Sequence, residues 1–374
     1  MSMKLWGNHT SIKIILTVVL IFSLTGCQDA YSLYSDSYLG PFDTVIEYMS
    51  YCKSEDEFDE QFDYIKERLD YYDQLFDKYN ECDLNNVYTI NEYAGIKEVV
   101  VEPELFDLIQ ISIERYTTLS TKVNIAMGAI TEIWKQYQDE AEDGVGDVPD
   151  EAELIEASRH IDLNNIVLNE EDYSIYLKDE WMSIDVGAVA KGYALELIKQ
   201  ELLSQDIDNF LISGGGNIVS HGERKIEKEG NFYIDECANQ FCVGIESPKD
   251  GNYADSELDY EAILVVLDSS VVTSGDYERY YYDDYGVRYC HLIDPDTLYP
   301  GTYFRSVSVI CEDSGLADYL STALFLMEYE EGLELVESMD EVEAIWLFED
   351  GKIRNSSGLS DNENIYVINK ERLE

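Results

Sequence analysis

From Ser54 to Tyr79 the apolar positions Phe58, Phe62, Ile65, Leu69, Tyr72 and Phe76 step by four and three, the spacing that lines one face of an α-helix. Ser54, with Glu57 three residues on, predicts a capping box at its start. A second helix is expected from Pro103 to about Leu119, with proline in the favoured first turn. Both stripes read as core faces. Residues 139–151 are acidic and carry Gly and Pro, which predicts a surface loop. A calcium loop is excluded there, because Ala141 stands where the third ligand position needs an oxygen.

The second half alternates short apolar runs with helical ones. Met182–Val186 reads as a strand, Ala190–Leu203 as a helix, and Phe210–Ser213 as a strand running into three glycines. Phe241–Glu246, Ile263–Leu267 and Ser306–Ile310 are further strands, and a helix covers about Asp318 to Met327. No internal repeat or composition break divides the chain. The pattern predicts one mixed α/β domain of the α+β class, spanning residues 38–370.

The N-terminus is different in kind. Lys4 and Lys13 precede or open a short apolar run from Ile14 to Phe22, and Leu24-Thr25-Gly26-Cys27 follows. A run this short is an export signal, since a spanning helix needs roughly 20 apolar residues. Leu-x-Gly-Cys at this point resembles a bacterial lipobox, whose cysteine is lipidated. It implies a signal peptide over residues 1–26, Cys27 as the lipidated first residue of the mature chain, and a polar tether over 27–37. The protein is therefore expected at the extracytoplasmic face of the cell membrane, held by its lipid anchor. Six cysteines then remain, and Cys237 and Cys242 are close enough to staple one hairpin.

Charge narrows the partners. The 374 residues carry 78 Asp and Glu against 25 Lys and Arg, a formal charge of −53 with a pI near 4.1. Nucleic acid is excluded as a partner, because phosphate binding needs a basic face. Adhesion to anionic lipid through a basic patch is disfavoured for the same reason.

Four stretches place glycine beside charged or hydroxyl groups. Asp185-Val-Gly-Ala-Val-Ala-Lys191-Gly192-Tyr193 turns from an extended run into a helix, where glycine admits a ligand and the helix N-terminus attracts phosphate. It reads equally as a capped helix with no ligand. Ser213-Gly214-Gly215-Gly216-Asn217 is a backbone-approach site or a tight turn. Thr273-Ser274-Gly275-Asp276-Tyr277-Glu278-Arg279 is followed by His291-Leu292-Ile293-Asp294-Pro295. Finally, Asp318 and Thr322 lie four apart on one helix face and both offer oxygen to a hard cation.

In order and spacing these blocks resemble the ApbE family of bacterial FAD:protein FMN transferases, over about residues 38–350. Ser269–Pro300 is similar to the family's T-S-G-x-Y-x-R and H-I-x-D-P-x-T-G-x-P pattern. Asp185–Tyr193 resembles D-x-G-x-x-A-K-G-Y, Ile212–Ile218 its G-G-N segment, and Ala317–Leu324 A-D-x-x-S-T-A-L. Phe42-Asp-Thr-Val, Tyr79 with Ile90-Asn91, and Val123–Trp134 resemble its N-terminal blocks. Leu298 replaces the glycine usual after Asp-Pro-x-Thr, so that turn must be built without a residue tolerant of positive φ. Cys290 precedes His291 where a His or polar residue is common, and Val123 replaces a Phe.

The resemblance implies a magnesium-dependent transfer of FMN from FAD to a Thr or Ser hydroxyl of an acceptor protein, through a phosphoester bond, with loss of AMP. It implies Asp318, Thr322 and the Ala188 carbonyl as Mg²⁺ ligands. Tyr79, Trp134, Asp185, Lys191, Gly215, Ser274, Gly275, Arg279, Leu292 and Ser321 are implied around FAD, with Asp185 toward the adenosine end. His291 is the candidate base, and Asp294 the group that orients it. An exported FAD hydrolase would use the same residues; a flavin-binding lipoprotein without catalysis is the alternative of a different class.

Overall fold

The computed structural model describes residues 31–222, 241–248, 260–360 and 366–368. Cys27, Cys237 and the signal segment lie outside the described residues; Cys242 is disulfide-bonded, while Cys52, Cys82, Cys290 and Cys311 are free.

The chain begins with strands β1 (Ser32–Leu39) and β2 (Val45–Cys52), then helices α1 (Glu55–Phe76) and α2 (Val87–Glu92). β3 (Val99–Val100), α3 (Pro103–Thr118), α4 (Gly128–Glu140) and α5 (Glu151–Ala157) follow, then β4 (Ile166–Asn169) and β5 (Ser174–Leu177). Next come α6 (Ala190–Ser204), β6 (Phe210–Gly214), β7 (Asn217–His221), β8 (Phe241–Glu246), β9 (Tyr260–Val266) and β10 (Ser270–Gly275). A small hairpin, β11 (Tyr280–Tyr282) and β12 (Arg288–Cys290), precedes β13 (Ser306–Cys311), α7 (Ser314–Phe325), α8 (Tyr329–Glu337), β14 (Glu343–Leu347), β15 (Ile353–Asn355) and β16 (Tyr366–Ile368).

Eight strands make one antiparallel sheet in the order β1-β2-β6-β7-β10-β13-β14-β15. Strand alternation assigns its two faces. Ile212, Val272, Val309 and Trp346 point to the larger core, shared with α1, α6 and α7. Leu211, Val271, Ile310 and Ile345 point to a second core, shared with β8 and β9 of a three-stranded sheet. Helices on one face of an antiparallel sheet and a small sheet on the other is an α+β arrangement.

The periodic helices form as expected. Ser54 caps α1 by accepting the Glu57 N–H at 3.2 Å, and Glu57 reaches back to the Lys53 N–H at 2.8 Å. Two expectations fail. Residues 32–37 of the expected tether belong to β1, the sheet's edge strand, because Tyr34 and Tyr38 alternate inward onto Phe58 and Phe62 of α1. Met182–Val186 is extended but is not a strand. Its backbone groups go elsewhere: the Asn91 amide takes both the N–H and the C=O of Ile184, Asp185 N–H donates to Ile125 O, and Ser183 makes one isolated bridge to Met127.

Candidate active site

α6 and α7 lie side by side, and two carboxylates pin them together. Glu196 on α6 accepts the N–H of Ser314 at 2.9 Å, and Asp318 on α7 accepts the N–H of Gly192 at 2.7 Å. The helices approach so closely here that a Cβ on Gly192 would strike Asp318 and the Ser314 carbonyl. Asp318 is thereby held at the first turn of α6, nearly buried, and desolvation raises its pKa against the pull of Lys191, Asn217 and the Gly192 N–H. A buried carboxylate kept short of compensation is a cation-seeking group.

Hydroxyls sit beside it. Ser274 at the end of β10 is 2.9 Å from the Ser321 oxygen and 3.2 Å from that of Thr322, three and four residues along α7 from Asp318. Lys191 crosses to the β6–β7 turn and donates to the Gly215 carbonyl at 3.1 Å. Gly215 has φ of +54°, and a Cβ there would collide with Thr44 of the N-terminal Phe-Asp-Thr-Val block, so the turn needs glycine twice over. Gly275 ends β10 against the Tyr277 ring.

The opposite wall is the base of the β11–β12 hairpin. The His291 N–H donates to the Arg279 carbonyl at 3.1 Å, extending the ladder by one rung and bringing the Arg279 charge close enough to act on the imidazole. His291 Nδ1 lies 3.3 Å from the same carbonyl, so Nδ1 carries the hydrogen and Nε2 is the free lone pair. The ring is exposed at the cleft mouth, yet the crowded protein around it desolvates it. That desolvation, then the charges of Arg279 and Lys191, push its pKa down to about 4.

Asp185 forms a third corner. Its Oδ2 accepts from Lys78 at 2.8 Å and Thr131 at 2.6 Å, and its Oδ1 from the Gly187 N–H at 2.9 Å. Against the cost of burial these partners hold its pKa below the usual carboxylate value. Tyr79, half exposed, lays its ring 4.9 Å from the Lys78 ammonium. The structure thus joins Lys191 to Gly215, Gly192 to Asp318, and Ser274 to Ser321 and Thr322 by direct contacts, with the charges of Lys191, Arg279 and Asp185 all acting on the His291 ring.

Three expected residues act otherwise. Asp294 does not orient His291: both its oxygens take Lys122, at 2.9 and 3.0 Å, in a mostly buried ion pair that closes the 291–300 loop. Trp134 is buried, stacked on Tyr289, with its indole N–H given to Leu298 O at 2.9 Å. Leu292 is buried in the main core. These support the wall of the site rather than face the cleft. The turn at Leu298 keeps the glycine-like geometry without the glycine, at φ of +64°, a conformation costing an L-residue about 1–2 kcal/mol.

Lys78, Thr131 and Lys122 escaped the sequence reading, since each meets its partner 54 to 172 residues away. The only local signal was Lys78 adjoining Tyr79.

The family model described as the ApbE family matches residues 42–346. A FAD:protein FMN transferase of Treponema pallidum is 33% identical over 279 residues, covering 73% of each chain. One from Klebsiella pneumoniae is 29% identical, over 73% of this chain and 78% of its own. Among solved structures, the ApbE protein of Thermotoga maritima superposes with a TM-score of 0.72 at 26% identity, covering 88% of this chain and 98% of that one. The flavin transferase ApbE of Vibrio cholerae gives 0.71 at 20% identity, covering 88% and 99%, a likeness of fold.

Proposed function

The chain belongs to the ApbE family and is a flavin transferase, moving FMN from FAD to an acceptor protein; we propose the course of that transfer from its own residues. The observation that carries the reading is the convergence of Asp318, the Ser274–Ser321–Thr322 hydroxyls and Lys191 opposite His291 and Arg279.

A protein of charge −53 repels the FAD pyrophosphate unless cations are concentrated where it binds. Lys191 and Arg279 supply two of them. The donor set supports a magnesium ion as the third: one buried carboxylate, a hydroxyl and a carbonyl are hard oxygens in the small number Mg²⁺ accepts from protein. Asp318, Thr322 and the Ala188 carbonyl would hold it. When bound, such an ion neutralises charge on the phosphoryl oxygens and orients the leaving phosphate. The first turn of α6 and the Gly215 turn bring backbone close to the phosphates, while Tyr79 and Asp185 take the adenosine end.

The acceptor's Ser or Thr oxygen bonds to the FMN-side phosphorus. Its proton passes to His291 Nε2, which is unprotonated at neutral pH because its pKa is depressed. The bond from that phosphorus to the bridging oxygen breaks, and AMP leaves with the electron pair. FMN remains on the acceptor as a phosphoester. Positioning by Lys191, Arg279 and the α7 hydroxyls does most of the work, as in phosphoryl transfer generally.

The lipobox-like segment supports anchoring through a lipid on Cys27 outside the cytoplasmic membrane. Among the described residues no helix is long and apolar enough to cross a membrane. The acceptor is then a membrane or extracellular redox protein exposing Ser or Thr.

The test incubates the detergent-solubilised full chain with FAD and Mg²⁺, with and without EDTA and an acceptor domain. AMP release with flavin fluorescence on the denatured acceptor is expected. AMP with only free FMN would establish a hydrolase instead, and intact bound FAD under every condition a binding protein.

A further inference from the structure

Asn217 is the anomaly of the interior. It is fully buried, its amide N–H reaches only toward the Asp318 carboxylate, and its amide oxygen has no hydrogen-bond partner. Leaving a buried amide oxygen unsatisfied costs about 1–3 kcal/mol.

Its direction is fixed. β7 is an interior strand, paired to β6 on one side and β10 on the other. Ile218 packs against the second core and Val219 belongs to the first, so alternation turns Asn217, like Val219, toward α6 and α7. There it lies by Asp318, lowering that group's pKa. It also sits one residue beyond the Gly215–Gly216 turn that Lys191 touches.

We propose that the Asn217 side-chain oxygen is a further protein ligand of the cation site, completing the set of Asp318, Thr322 and the Ala188 carbonyl. This rests on the reading of that site as a magnesium site. The unpaired amide oxygen is then a ligand awaiting its ion: a neutral oxygen adds coordination without a second buried negative charge beside Asp318.

The experiment measures Mn²⁺ binding by electron paramagnetic resonance, without FAD, in the full chain and in Asn217→Leu and Asn217→Asp. It adds melting curves in EDTA. Asn217→Leu should bind Mn²⁺ at least tenfold more weakly, yet still melt cooperatively in EDTA, because the buried oxygen it removes has no partner. Asn217→Asp, which keeps an oxygen, should bind at least as tightly as the unaltered protein. Undiminished Mn²⁺ affinity in Asn217→Leu would overturn the inference, as would failure of Asn217→Asp to bind when Asn217→Leu does not fold. An unaltered protein that binds FAD but no Mn²⁺ would overturn the magnesium reading itself.

Discussion

The backbone N–H of Gly192 donates to Asp318 Oδ2 at 2.7 Å, joining the first turn of α6 to α7 across 126 residues of sequence. Only a residue without a Cβ permits that approach. Gly192→Ala should push the helices apart, costing about 1–3 kcal/mol by overpacking, with transfer lost more than FAD binding. Urea unfolding and transfer assays together check this; native stability in the variant would show that the contact is slack.

Asp318 presents the opposite trade. Desolvation raises its pKa, so in cation-free protein its charge works against the fold. Asp318→Asn should therefore raise the melting temperature in EDTA by a few degrees, about 1 kcal/mol, while abolishing metal-dependent transfer. A melting temperature that falls would contradict the assignment.

His291 should be visible in pH profiles. Its folded-state pKa is depressed to about 4 from an ordinary 6.5, so the acid limb of kcat/KM should fall well below pH 6.5. The sign for stability follows. As pH drops from 6.5 toward 4, the unfolded chain takes a proton that the folded one refuses, and stability is lost. His291→Ala should cut transfer by about 10²–10⁴ and abolish this part of the pH-dependent loss, with FAD affinity retained. Equal loss of binding and transfer would remove the base role.

Asp294 should behave as a structural anchor. Asp294→Ala strands Lys122 with Asp296 alone and should cost about 3 kcal/mol, measured by chemical denaturation. The acid limb of the residual activity should stay where it was. A shifted limb would restore Asp294 as the partner of the imidazole.

The charge of −53 predicts an inverted salt effect. Added salt screens long-range repulsion of FAD, with a Debye length of about 10 Å at 0.1 M. KM for FAD should fall several-fold between low salt and 0.15 M, whereas steering by a basic protein would make it rise. Steady-state kinetics at fixed free Mg²⁺ decides between them.

Periodicity revealed α1 and α3 because their stripes are local, recurring within a few residues. It misjudged Met182–Val186 because apolar content marks an extended run without saying what pairs with it; here a single Asn91 amide takes the place of a neighbouring strand. It took the start of β1 for a tether because an edge strand with one inward face is mostly polar. The motif blocks held several residues that the fold brings into contact, Gly192 with Asp318 and Ser274 with Ser321 and Thr322 among them, since Gly, Asp and hydroxyl groups at element ends are legible as such. The Lys122–Asp294 and Lys78–Asp185 pairs were not, because which cation meets which carboxylate is decided by the fold.

All but one of the twelve residues of α7 are buried, so the Asp318 and Thr322 side of the cleft is cast into the core. The His291 and Arg279 side hangs from a hairpin of three residues per strand, with a tip at Tyr285 that is 93% exposed. Turnover demands that a large nucleotide enter and a flavin-bearing protein depart. Opening at α7 would mean breaching the core, whereas on the hairpin only the base is anchored, by Tyr281 among Trp134 and Ile293 and by the Tyr282 backbone on Gly144 and Gly146. Amide hydrogens at the Tyr285 tip should exchange with solvent long before those of α7.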